Sequence, residues 1–287
     1  YELSWTKDAN ASFVAGHPSG ILPDSPEYVV HPPLGKWMIA AGMAIFGDNN
    51  PFGWRVSAAV IGTLSVALIA YAAWLLFRSV TVSTIAALLA AVDGLMLVES
   101  RLALLDIFQM FWILATFVCL LLDRIHARRV LARNIAEAAR QYQGELPPMS
   151  WGPGMGLRLW RVAAGVCAGA AVGVKWNSLF FIAAMGLLTV FWDMNARRIV
   201  GLPKWGLIAL VRDGIPAFVQ MIGVGLLVYL STWAGWFQSS NAYFRHWAQE
   251  NPGKGLLWLP EDLRSLWEYH ASAFKFHSGL STPHTYS

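Results

Sequence analysis

The chain has 287 residues, of which 56% are hydrophobic and only 13% charged, with a formal net charge of +4. Soluble domains carry about a quarter charged residues, and a soluble chain this apolar would expose patches large enough to aggregate, so the composition points to membrane spans. Nucleic-acid binding is excluded as well, because the basic residues sit in short loops between apolar runs.

The chain opens on Tyr1-Glu-Leu-Ser-Trp5 in mid-pattern and is read as a fragment of a longer protein. Residues 34–46 follow Pro32-Pro33, a good helix start, and are too short to span, so an interfacial helix is expected. A spanning helix needs about 20 mostly apolar residues. Runs at 52–77, 82–98, 105–122, 161–174, 178–193 and 214–236 are read as six spans. Gly165, Gly169 and Gly173 line one face of the fourth and allow a neighbouring helix to approach closely. The segment 124–150 begins as a helix and is broken at Pro147-Pro148; it reads as a solvated basic connector, with anionic lipid headgroups as the sharper alternative.

The loops after the first, third and fifth spans carry Arg78, then Arg124, Arg128, Arg129, Arg133, Arg140, Arg158 and Arg161, then Arg197, Arg198, Lys204 and Arg212. Six alternating spans put all three loops on one side, which the positive-inside rule makes cytoplasmic. Residues 1–51, the turns near 99–104 and 175–177, and 237–287 then face outward. The domain reading is a membrane region over 1–236 and an outer loop over 237–287.

Polar residues converge on that outer face: His31 and Lys36, Arg55, Glu99, Arg101 and Asp106, and Lys175-Trp176-Asn177. A charge in hydrocarbon costs roughly 2.5–3.5 kcal/mol on insertion scales, so these groups are expected to face a cavity or one another. Cations together suit an anionic lipid phosphate and its charge on departure, while Asp106 or Glu99 is suited to orient a base or touch sugar hydroxyls. His270, His277 and His284 recur every seven residues, which is not the spacing of a helical zinc pair; no metal site is assigned. Cys119 and Cys167 read as small core residues, and the 15 Trp residues as interfacial anchors or sugar platforms. No phosphate-binding loop, dinucleotide fingerprint or hydrolase motif appears, and no cofactor is expected.

The ordered set His31-Pro-Pro-Leu-Gly-Lys36, Phe52-Gly-Trp-Arg55, Ser100-Arg-Leu-Ala-Leu-Leu-Asp106 and Gly173-Val-Lys-Trp-Asn177 resembles the protein O-mannosyltransferase family, above all its actinobacterial branch. Tyr269-His270, Phe276-His277 and His284-x-Tyr286 resemble that family's outer loop, so the likeness runs along the whole chain. It implies an all-α integral membrane fold of the GT-C type in the cell membrane. It also implies an extracytoplasmic active face, a polyprenyl-phosphate-mannose donor, and Ser/Thr of proteins as acceptor with inversion. The family's Asp-Glu pair, the expected general base, falls ahead of the stretch matching Tyr1–Trp5 and hence upstream of Tyr1. The Asp that fungal and animal relatives place two residues before the His is here Val29. Arg55 matches an arginine the family needs; Lys36, Arg101, Asp106, Lys175 and Asn177 carry over as site or scaffold positions. Two alternatives stand beside this reading. One is a related enzyme that moves another lipid-linked sugar, such as aminoarabinose, and the other is a transporter of lipid-linked sugars. Transporters place ionisable groups near the midplane, whereas here they gather at one surface.

Overall fold

The computed structural model describes residues 11, 14–15, 29–48, 50–141 and 152–279. Among them the regular structure is entirely helical. The chain divides into two compact units, Pro33–Thr232 and Tyr1–Pro32 with Trp233–Ser287.

The larger unit is a bundle. Helix α1 (Leu34–Phe46) is followed by α2 (Pro51–Phe77), α3 (Val80–Val92), α4 (Gly94–Glu99), α5 (Leu105–Gln141), α6 (Leu159–Val174), α7 (Ser178–Ile199) and α8 (Trp205–Thr232). Four of these, α2, α5, α7 and α8, are long and apolar enough to cross a membrane; α1, α3 and α6 are shorter apolar helices. The chain is therefore a multi-pass membrane protein, and among the described residues four helices have full spanning length.

Local chemistry sets the boundaries. Asn50 caps α2 through Phe52 N (2.7 Å) ahead of Pro51 at the first helical position, and a side-chain cap followed by proline is a strong start signal. Arg78 closes α2 in the left-handed conformation and Ser79 caps α3 at once, which makes the reversal tight. The sequence pattern predicts one run over 82–98, but Asp93 interrupts it: its Oδ1 accepts from Met96 N at 2.8 Å and starts α4 as a separate helix. A carboxylate is a better cap than a helix interior residue, so the pass is kinked.

The sequence pattern ends the third run near 122. Instead α5 continues unbroken to Gln141, with Ala127, Leu131 and Ala138 buried. Ala, Leu and Arg are strong helix formers, and the extension has its own apolar face against Met155, Ala196 and Val200. It is a packed helix rather than a solvated connector. The last run extends in the other direction, to Trp205. Two wider, π-helical turns at Ala209–Gly214 and Val219–Gly223 flank Pro216, as expected where a proline removes one rung of the hydrogen-bond ladder.

The glycine stripe of α6 packs on α8. A Cβ at Gly165 would sit 2.1 Å from the Gln220 carbonyl oxygen, and one at Gly169 2.3 Å from that of Gly225. The two backbones touch there, and no side chain fits between them.

In the smaller unit, α9 (Ala234–Gln238), α10 (Trp247–Glu250) and α11 (Glu261–Gly279) are joined by turns. Trp233 and Trp236 are buried and meet edge to face at 6.5 Å, so these two are core residues rather than interfacial anchors. Trp258 and Trp267 are exposed.

Candidate active site

The turn between α6 and α7 is short because Lys175 adopts an extended conformation that stops α6, and Ser178 already begins α7. This presents Lys175 to the start of α5, where its Nζ donates to Asp106 Oδ1 at 2.7 Å. The pair is partly solvated, with the carboxylate about half exposed. Glu99, at the end of α4, senses both partners. Burial and the Asp106 charge raise its pKa above the ordinary carboxylate value, and Lys175 offsets part of the rise. Its Oε2 is buried and accepts no hydrogen bond.

A second contact fixes the same turn. Gln109, one turn beyond Asp106 and buried, donates through Nε2 to Asn177 Oδ1 and to Ser178 Oγ (2.9 Å), and Ser178 Oγ donates to the Ala171 carbonyl at 2.9 Å. The start of α1 closes on this group. A Cβ at Gly35 would meet Leu105 Cδ2 at 2.7 Å and Val174 Cγ1 at 3.0 Å, so the first turn of α1, with Lys36, abuts the ends of α5 and α6 that carry Asp106 and Lys175. Trp176 Nε1 donates to Tyr229 OH at 3.0 Å, tying α8 to the same end. Sequence analysis did not single out Gln109 or Ser178; a Gln within an apolar run was the available signal.

Arg55 and Arg101 stand apart. Arg55 is exposed near the start of α2, its guanidinium 4.4 Å from the Trp54 ring centroid. Arg101 is exposed in the turn after α4. Neither forms an ion pair or side-chain hydrogen bond among the described residues, so Asp106 is partnered by Lys175 and not by its nearer neighbour Arg101. Both guanidiniums are available to an anion.

In the smaller unit, His31 and His277 lie with ring centroids 5.7 Å apart, and His277 Nε2 is 3.2 Å from the Val30 carbonyl. Tyr269 OH donates to the Val29 carbonyl at 2.7 Å and accepts from Val29 N at 3.0 Å. His270 packs 4.9 Å from the Trp233 ring. Burial pulls its pKa below the ordinary imidazole value, partly opposed by its contact with the Leu266 carbonyl. His284 lies outside the described residues. Among the described residues no three His, Cys, Asp or Glu side chains converge as a metal-ligand set.

The other end of the bundle holds what sequence analysis missed. Arg158, Arg161 and Arg197, read as connector charges, are buried together with Asp123, Asp193 and Asp213. Arg158 donates to both oxygens of Asp123 (2.7 and 2.5 Å) and to Asp193 (3.1 and 3.3 Å). Arg161 bridges the same two carboxylates at 3.2 and 2.5 Å, and also donates to Thr189 and to the Asp213 carbonyl. Arg197 grips Asp213 at 2.5 and 2.9 Å. Three cations match three anions, which is what makes the burial tolerable. Asp106 and Asp123 lie on one helix, 17 positions apart. At 1.5 Å per residue that is roughly 25 Å, near the thickness of bilayer hydrocarbon. Two polar tiers thus bracket an apolar zone, one solvated and one sealed.

These features define a polytopic helical membrane protein with ionisable groups gathered in a partly open site at one end of its bundle. Residues 30–130 match the family model described as dolichyl-phosphate-mannose-protein mannosyltransferase. The chain is 40% identical over 261 residues to the polyprenol-phosphate-mannose–protein mannosyltransferase of Mycobacterium tuberculosis, covering 90% of this chain and 49% of that protein. It is 36% identical over 273 residues to that of Corynebacterium glutamicum, covering 92% and 50%. A 93-residue stretch, 32% of the chain and 17% of the relative, is 41% identical to an undecaprenyl phosphate-alpha-4-amino-4-deoxy-L-arabinose arabinosyl transferase of Pseudomonas aeruginosa. No solved structure matches the chain. The chain belongs to the protein O-mannosyltransferase family, and it spans about half the length of the curated relatives it matches.

Proposed function

We propose that the chain is part of a GT-C glycosyltransferase that moves mannose from polyprenyl-phosphate-mannose to Ser or Thr of proteins at the outer face of the cell membrane. The six alternating passes would be α2, the kinked α3–α4 pair, α5, α6, α7 and α8. The Lys175–Asp106 pair (2.7 Å) with Glu99 beside it, at the end of the bundle opposite the basic loops, carries the reading.

In this account the acceptor hydroxyl oxygen attacks C1 of the mannose from the face opposite the phosphate. The C1–O bond to phosphate breaks, the configuration inverts, and the hydroxyl proton passes to a carboxylate, which this reading expects upstream of Tyr1. The leaving phosphate gains negative charge, which nearby cations stabilise most in the transition state. Lys175 is held for this role by Asp106, and Lys36, Arg55 and Arg101 are further cations for the phosphate. Glu99 is suited to hold sugar hydroxyls, because a buried carboxyl oxygen without a partner gains most from a new donor. Membrane lipids surround the apolar zone.

The shorter likeness to an aminoarabinose transferase supports a second reading, in which the same cations hold another lipid-linked sugar. The test is a donor swap: full-length protein in membranes, a Ser/Thr-rich peptide, and either labelled polyprenyl-phosphate-mannose or the aminoarabinose lipid. Labelled mannose on peptide hydroxyls supports the first reading. Consumption of only the aminoarabinose lipid replaces it with the second.

A further inference from the structure

The buried network leaves two cations over. Asp123, Asp193 and Asp213 are each engaged by Arg158, Arg161 or Arg197, and that set is neutral. Arg124 and Arg128 follow immediately on α5. They are half-buried, and the Nε of each is shielded from solvent with no hydrogen-bond partner. Among the described residues neither has an ion pair. Four residues apart, they lie on one helix face, where like charges destabilise each other. Two guanidiniums held this close with buried, unused donors form a receptor for an anion, and their planar forks fit phosphate oxygens.

The surroundings specify the source of that anion. The Arg124 guanidinium stacks 4.9 Å from the Trp192 ring centroid, and Arg78, closing α2, stacks 4.6 Å from that of Trp74. A guanidinium is attracted to an indole face, and Trp is enriched at the membrane–water boundary. Buried Ala72 and Leu75 of α2 belong to one apolar cluster with Val118 and Leu121 of α5, and Ile125 and Trp192 pack against it, so Arg78 and Arg124 close the same end of that cluster. Phe77 and Phe191 are well exposed there, which provides an apolar surface for acyl chains. Arg124 is also 18 positions beyond Asp106 on α5, roughly 27 Å along the axis and thus one hydrocarbon thickness away.

We infer that Arg124 and Arg128 bind the phosphate of an anionic phospholipid headgroup, in the leaflet opposite the Lys175–Asp106 site. The ligand chemistry is a phosphate mono- or diester, and the boundary position selects the lipid over the free ion. By occupying both guanidiniums the lipid supplies the carboxylate-like partner that the protein itself lacks, and it secures α5 at its exit from the membrane.

The experiment uses purified full-length protein in a neutral detergent, with melting followed as phosphatidylglycerol, phosphatidylcholine or inorganic phosphate is added. Phosphatidylglycerol is expected to raise the melting temperature of wild type, and the other two are not. In Arg124→Gln/Arg128→Gln the half-saturating lipid concentration is expected to rise by about tenfold or more, as for loss of one hydrogen bond to a charged group. Arg129→Gln/Arg133→Gln, an exposed pair on the same helix, is expected to behave as wild type. An unchanged response in the first variant, an equal loss in the second, or protection by inorganic phosphate matching that by lipid would each overturn the inference. Native mass spectrometry of wild type needs no variant: retention of phosphatidylglycerol over phosphatidylcholine supports the site, and equal retention overturns it.

Discussion

Replacing Asp123 by Asn keeps the shape of the side chain and removes its charge. In the folded protein Asp123 accepts two hydrogen bonds from Arg158 and one from Arg161, at 2.5–3.2 Å, and its side chain is 1% exposed. One pair of unit charges about 4 Å apart is worth about 4 kcal/mol at an effective dielectric constant near 20. Breaking a buried pair by deleting one partner costs about 3–5 kcal/mol, because the other charge stays buried. Asp193 still faces both guanidiniums, so the lower half of that range applies. The expected outcome is a melting temperature lower by roughly 10 °C in detergent, read by fluorescence-detected size exclusion after heating the full-length protein. Arg158→Gln on the same background restores the charge balance, and the double variant is expected to be less destabilised than the two single losses summed by about 1 kcal/mol or more. A single variant that melts with wild type would refute the buried-network reasoning, and strict additivity would refute the pairing.

Three further outcomes follow from other contacts. Gly169→Ala places a Cβ 2.3 Å from the Gly225 carbonyl; because only backbone can yield, a destabilisation of about 1–3 kcal/mol or more is expected in the same melting assay. Gln109→Leu removes the donor that holds Asn177 and Ser178. A loss of about 1–3 kcal/mol is expected, with a lowered kcat in the transfer assay, since Lys175 is then less well positioned. The lowered pKa of His270 means that the folded state disfavours the imidazolium. Its contribution to stability is present above the ordinary value of 6.5 and is lost as pH falls from there through the lower folded value. The protection of α11 amides, taken as exchange relative to the intrinsic rate at each pH, is therefore expected to fall on acidification below about 6.5, and His270→Gln to flatten that dependence.

The apolar runs were legible because each lacks charge over a long stretch, and α2 and α7 lie close to where those runs predict. The break at Asp93 was not, since a single Asp within apolar residues signals a cap only once the neighbouring helix is placed. The extension of α5 to Gln141 was obscured by its arginines, which suit a loop and a helix equally; buried Ala127, Leu131 and Ala138 decide the matter. Gathering Asp106, Lys175 and Asn177 at one end needed only the alternation of helices. The Lys175–Asp106 pairing, across 69 positions, needed coordinates, because Arg101 was the nearer candidate. The buried network hid behind the rule from which an orientation was expected. Arg158, Arg161 and Arg197 satisfy the positive-inside pattern, yet a carboxylate at the end of an apolar run, such as Asp123 or Asp193, calls for a partner, and that was the signal available.

The Lys175–Asp106 site is proposed to act on a lipid-phosphate sugar. The most direct measurement is mannosyl transfer to a Ser/Thr-rich peptide by the full-length protein in membranes, comparing wild type with Lys175→Met and Asp106→Asn at matched protein level and melting temperature. Loss of one preorganised donor to developing charge lowers kcat by about 10²–10³, and the account predicts a fall of that order for Lys175→Met and a smaller one for Asp106→Asn. Wild-type transfer in both variants would contradict it.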